Sequence, residues 1–309
     1  MHRDLQSYIK PIFRVALIAI IALVGTLLIK PSNASPFAAI SEAEDGVRTA
    51  EVSVITDPGA SNNSAVRFGS NILPYNPTNS QAIPSNLQLV FADEFNGSSL
   101  DLSKWDPNWL AWNATAITQP VNVSTEPVCY DPSQVSVGGG LVNLSLDQRP
   151  CTAANGTTYT HAGGMIQSVR YFNYTYGFAE AYINIPAGID GVAPVNWPAF
   201  WGNGQNWPDD GEDDIMEVLD SRVCFTYHYS GGQLGETCPQ ISAGWHHFAS
   251  YWQPNSVTYF YDGVNVGSYA VSIASPHYLI MNLSMANWST HNRVPSTLQA
   301  DYVRVWQSQ

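Results

Sequence analysis

The chain has 309 residues, 45% of them hydrophobic and 12% charged, and 12 basic against 25 acidic residues give it a formal net charge of −13. That balance excludes a nucleic-acid partner and disfavours acidic polysaccharides, so neutral ligands suit the chain better. Four cysteines, Cys129, Cys151, Cys224 and Cys238, with no CxxC or His-Cys cluster, indicate two disulfides in an oxidising compartment rather than zinc.

In chain order, His2, Arg3, Lys10 and Arg14 precede an apolar run from Val15 to Ile29, closed by Lys30-Pro31 and followed by Ser32-Asn33-Ala34-Ser35. That length suits a signal-peptide core and is short for a membrane span. Residues 1–35 therefore read as a signal peptide, with cleavage after Ala34, or as a signal anchor. The rest of the chain is exported in either case, and it meets a membrane only if the segment stays uncleaved. Residues 36–86 include a short strand candidate in VRTAEVSVI but are otherwise rich in Pro, Asn and Ser, the composition of a linker or arm.

Residues 87–309 form one dense unit of strand-like segments: Leu87–Ala92, Gln134–Leu146, Gly164–Arg170, Tyr176–Ile185, Glu212–Leu219, Val223–Tyr229, Trp245–Trp252, Ser256–Tyr261, Tyr278–Leu283 and Asp301–Trp306. Asp262-Gly263 is a tight hairpin turn between two of them. Many closely spaced strands without alternating long helices make an all-β protein of antiparallel sheets, most economically two packed together. Of the three cysteine pairings, Cys129–Cys151 and Cys224–Cys238 are expected, because each closes a strand–loop–strand neighbourhood. Sequons begin at Asn62, Asn96, Asn113, Asn122, Asn143, Asn155, Asn173, Asn282 and Asn287.

The segment WPDDGEDDIMEVLD, residues 207–220, holds the chemistry. Strand alternation puts Glu212 and Asp214 on one face, while Glu217, five residues on, would face away. A one-residue bulge between Asp214 and Glu217 would turn it back, and bulges are common beside active sites. Carboxylates gathered on one sheet face are the equipment for cleaving glycosidic bonds: one attacks and another delivers a proton. Three acids in so small a volume cannot all ionise cheaply, so an acid catalyst can stay protonated. Asp213 has the opposite parity and is expected on the back face, solvated or paired. Trp197, Trp201 and Trp207 lie nearby, and Trp197 and Trp201 are candidate stacking platforms for sugar rings. There is no GxGxxG after a strand, P-loop, HExxH or GxSxG elbow to support a nucleotide, zinc-protease or esterase reading.

From about residue 88 to 307 the chain resembles glycoside hydrolase family 16, in particular its laminarinase-like endo-1,3-β-glucanases. The likeness rests on LVFADEFNGSSLDLSKW from Leu89, YGFAEAYINIP from Tyr176, NWPAFW from Asn196, the E-x-D-x-x-E of Glu212, Asp214 and Glu217, Trp252, YDG at Tyr261 and the closing Asp301–Trp306. The resemblance implies a β-jelly-roll, concanavalin A-like sandwich of two antiparallel sheets with an open cleft, acting with net retention. It implies Glu212 as nucleophile, Glu217 as general acid/base and Asp214 as the residue that orients the nucleophile. It also implies a neutral β-glycan substrate, no cofactor for catalysis and a monomer. His246 aligns with a family histidine near the cleft, and Trp252 and Trp288 are further substrate-binding candidates. Glu94 and Asp301 match side-chain positions of a structural calcium site. Asp213 departs from the apolar residue usual in the signature, and NLSMANW at 282–288 lacks the usual double glycine. The rival readings are a related hydrolase of mixed-linkage glucan or galactan, and a glycan-binding sandwich without chemistry. A binding module has no need of the three acids.

Overall fold

The computed structural model describes residues 52–56, 64–68 and 83–308, and the chain divides into two compact units, 1–75 and 76–309. In the first, Val52–Thr56 pairs antiparallel with Ser64–Phe68, so the strand expected near VSVI has a partner in a stretch read as linker. The expected leader at 1–35 and the sequon at Asn62 lie outside the described residues. Among the described residues, no helix is long and apolar enough to cross a membrane.

The second unit is a sandwich. Its six-stranded sheet runs, in spatial order, Met165–Gln167, His277–Ser284, Trp197–Gly204, Glu212–Leu219, Arg222–Tyr229 and Gly232–Thr237. The facing sheet has ten strands, with Gly244–Gln253, Gly177–Ile185 and Ser296–Ser308 at its centre. Alternating side chains from the inner faces, among them Phe200, Phe225, Phe248, Leu279, Leu144 and Val303, fill the space between as one apolar core. At about 25 cal/mol per Å² of buried apolar surface, this layer is the main force holding the sheets together.

The expected all-β architecture is present, with local differences. Gln134–Leu146 is a hairpin, Val135–Gly138 and Leu141–Asp147, turned by Gly139 and Gly140 at positive φ. Trp197–Gly204, absent from the strands expected above, lies inside the six-stranded sheet. Its proline is the second residue, near the strand's start, where a missing N–H is tolerated. Val128–Tyr130 pairs in parallel with His161–Gly163. Asp262 and Gly263 both take positive φ, as a primed hairpin turn requires. Both expected disulfides form, Cys129–Cys151 and Cys224–Cys238.

Candidate active site

The Glu212–Leu219 strand carries the bulge its sequence called for. Glu212 lies opposite Asn203 and His228, Asp214 opposite Trp201 and Thr226, and Glu217 opposite Ala199 and Cys224. Between Asp214 and Glu217 this strand spends two residues, Ile215 and Met216, where each neighbour spends one. Both are fully buried in the inter-sheet core. The extra residue returns Glu217 to the outer face shared by Glu212 and Asp214.

On that face the acids meet a few polar groups. Trp197 Nε1 donates to Glu217 Oε1 at 2.7 Å. His228 Nε2 stands 3.1 Å from Asp214 Oδ2 and 4.0 Å from Glu212 Oε1. Burial is the largest influence on all three carboxyls and holds each above its ordinary range. For Glu212 the Asp214 charge adds to the rise, while His228 and the Trp207 indole oppose it. For Asp214 the charges of Glu217 and Asp213 add to the rise. For Glu217 the Trp197 bond and His228 oppose it, and Glu236 and Glu126 reinforce it. The Glu212 side chain keeps 19% of its surface exposed against 6% for Asp214, so Asp214 is the more sealed of the pair. In such a cluster each charge disfavours the next, so it can offer one ionised and one protonated carboxyl side by side.

Asp213 faces inward, as its parity required. It is fully buried and accepts a hydrogen bond from Ser250 Oγ of the opposite sheet at 2.7 Å, so the pairing expected for it is realised and the solvation is not. Burial pushes its carboxyl up to about 6, with Tyr259 and Ser250 holding it back.

The aromatic candidates divide. Trp197 is at the site, and Trp288, half exposed, has its ring 6.1 Å from that of Trp197. Trp201 shares the acids' face, but Trp109 stacks over it at 5.9 Å and its Nε1 donates to Asn282, leaving it 6% exposed. Trp252 and His246 do not reach the site, because their strand belongs to the ten-stranded sheet. Trp252 is fully buried in the core, stacked on His277 at 4.5 Å. His246 is bound to Asp262 at 2.9 Å and to Tyr261 at 2.9 Å. The expected calcium ligands also fit poorly: both oxygens of Glu94 accept from Arg304, at 2.8 Å and 2.8 Å, so a guanidinium already holds the carboxylate that calcium would need. Asp301 is pushed up to about 6 by burial and by Glu94. The sequon asparagine Asn282 is buried and bonded to Trp201.

Two groups at the site were missed in the sequence. His228 could have been found by counting back from the two-residue turn at Asp220-Ser221 and allowing one residue for the bulge, which puts residue 228 opposite Glu212. Glu126 had no such signal, since it reaches the site from a loop. It is buried and accepts from Ser284 Oγ at 2.6 Å, Tyr130 Oη at 2.9 Å and the Asn122 N–H at 2.6 Å.

The sequence profile described as glycosyl hydrolases family 16 matches residues 124–304, which takes in every strand of the six-stranded sheet. The chain belongs to glycosyl hydrolase family 16. Among relatives of this family 16 chain, the glucan endo-1,3-β-glucosidase A1 of Niallia circulans is 27% identical over 276 residues, covering 73% of this chain and 38% of that protein. The β-glucanase of Rhodothermus marinus is 26% identical over 259 residues, covering 71% of this chain and 85% of that protein. The laminarinase catalytic domain of Thermotoga maritima MSB8 superposes with a TM-score of 0.61 at 22% identity over 72% of this chain and 99% of that one, a likeness of fold.

Proposed function

We propose that this family 16 chain is a retaining endo-β-glycanase that hydrolyses β-1,3-glucan of the laminarin type by double displacement. The observation that carries the reading is the bulge at Ile215-Met216, which puts Glu217 on the face of Glu212 and Asp214. In the first step a Glu212 oxygen attacks the anomeric carbon while Glu217 gives its proton to the leaving glycosidic oxygen. A glycosyl ester on Glu212 and a free aglycone result. In the second step Glu217, now ionised, takes a proton from water, and the water oxygen displaces Glu212 from the same carbon with net retention. Asp214 orients Glu212, and its carboxyl is the place to hold a proton while Glu212 is ionised. Both steps run on carboxyl groups of the chain, so the proposed reaction draws on no cofactor.

The named activities of the Niallia and Rhodothermus relatives support a β-glucan substrate, and the net charge of −13 supports a neutral one. Two disulfides support export. We place the catalytic domain at residues 87–309, after a leader at 1–35 and an arm at 36–86. Incubation with laminarin, lichenan, agarose, carrageenan and xyloglucan, with products read by chromatography, tests the substrate. Proton NMR of the first product should show the β-anomer before mutarotation, and early α-anomer would sink the double displacement.

A further inference from the structure

An outward-facing pocket beside the six-stranded sheet is unused by the proposed reaction. It has a volume of about 190 Å³, and its walls include Trp112, Val169, Arg170 and Gln205. Trp112 is 81% exposed, an unusual position for the largest apolar side chain on a surface without a ligand. The guanidinium of Arg170 lies 5.8 Å from the centre of the Trp112 ring. Its Nε and Nη2 are both bound to the buried Asp106, which fixes its plane and leaves Nη1 to donate elsewhere. Gln205 spends its amide nitrogen on Asn173 Oδ1 at 2.7 Å, keeping its oxygen as an acceptor.

The register of the six-stranded sheet ties this pocket to the acids. One row of paired residues runs Asp214, Trp201, Ile280, Gln167, and directly paired residues share a face. Gln167 therefore lies on the acids' face, three strands or roughly 14 Å from Asp214, and it helps line the pocket. Along the strands the pocket also has a definite end. Gln205 follows the strand end at Gly204, two residues past Asn203, the partner of Glu212. Ala199, the partner of Glu217, lies further back on the same strand. The proton donor marks the leaving-group side of the cut bond, so the Glu212 end is the side of the sugar that becomes attached to the nucleophile.

We propose that this pocket is a remote glycone-side subsite that takes one neutral pyranose ring of a β-glucan chain several units from the bond being cut. The ring packs against Trp112 inside the pocket, and its hydroxyls exchange hydrogen bonds with Arg170 Nη1 and Gln205 Oε1. The subsite rests on the glycanase reading above and adds to it a preference for long glycone segments. An aromatic platform of this kind contributes about tenfold in apparent affinity.

The test compares wild type, Trp112→Ala and Trp112→Phe on a series of laminari-oligosaccharides of increasing length. The ratio of kcat/KM for the longest over the shortest should fall about tenfold in Trp112→Ala, and Trp112→Phe should retain most of it. An unchanged ratio, or an equal loss at every length, overturns the subsite. The same comparison made as binding affinity in a Glu212→Gln background separates the two readings. If wild type cuts no glucan, the proposed function fails. If the longest oligosaccharide then binds equally well with and without Trp112, the subsite fails as well; a length-dependent loss on Trp112→Ala supports it.

Discussion

The Glu212–Leu219 strand presents acids on both of its faces, and the two faces treat the same chemical group differently. Outward, Glu212, Asp214 and Glu217 stand together with indole and imidazole groups around them and some surface left to solvent. Inward, Asp213 is sealed between the sheets, accepting from Ser250 Oγ with the Tyr259 hydroxyl beside it. All four carboxyls are pushed above their ordinary range, chiefly by burial. A raised pKa therefore does not mark a catalytic acid by itself. What separates the groups is parity: the outer three can touch a substrate and Asp213 cannot. The comparison assigns chemistry to one face and a stability cost to the other, and each assignment can be broken separately.

The largest effect should come from the outer face. Glu217→Ala should lose about 10²-fold or more on laminarin, because a glucosyl leaving group needs the proton fully. An activated aryl glycoside needs it little, so that substrate should still form the glycosyl-enzyme. Azide should then speed the slow second step and yield a β-glycosyl azide. Glu212→Ala, by contrast, should abolish turnover on both substrates while oligosaccharide binding survives. Equal losses of Glu217→Ala on both substrates, with no azide effect, would make Glu217 structural. More than a tenth of wild-type turnover in Glu212→Ala would remove it as nucleophile.

The inner face should show itself in stability. An unfolded aspartate titrates near its ordinary 3.8, whereas folded Asp213 titrates at about 6. Between those values the folded chain binds a proton that the unfolded chain does not. Its stabilising share is thus fully present below about pH 4 and lost as pH rises through 6, amounting to about 3 kcal/mol. Urea melts at a series of pH values should show stability falling across this window, to which the outer acids contribute with the same sign. Asp213→Asn keeps an acceptor for Ser250 and has no proton to release, so it should flatten that slope and be the more stable chain at pH 7. An unaltered slope in the variant would show that Asp213 is already neutralised by another route.

How far the sequence carried these assignments depends on the range of the interactions that decide them. The bulge was legible because the violation is local: five residues from Glu212 to Glu217 cannot share a face without it. The disulfides were legible for the same reason, each closing a short strand–loop–strand. Trp252 and His246 were misplaced because alternation tells which face of a strand a residue occupies but not which sheet the strand joins. Trp201 had the right face, yet Trp109, ninety-two residues earlier in the chain, covers it. Glu94 paired with Arg304 across strands distant in sequence, where a sequence motif suggested a metal. Long-range pairing, which propensity does not encode, accounts for each of these differences.

The smallest expected effect probes the donor on Glu217. The Trp197 N–H stabilises the ionised form of this carboxyl and so opposes the upward push of burial. A general acid works only while protonated, so the alkaline limb of kcat/KM reports the point at which Glu217 loses its proton. Trp197→Phe keeps an aromatic ring and removes the donor. Glu217 should then hold its proton to higher pH, and the alkaline limb should move up by about one unit, the equivalent of roughly 1.4 kcal/mol for a hydrogen bond to a charged group. The acid limb, set by ionisation of the Glu212–Asp214 pair, should move less, because the Trp197 N–H is spent on Glu217. The two limbs thus form an internal control: sugar stacking lost with the indole lowers the whole profile without shifting it. A profile that falls in height with both limbs unmoved would make Trp197 a binding platform only, and Glu217 would then owe its protonation to burial and the neighbouring acids alone.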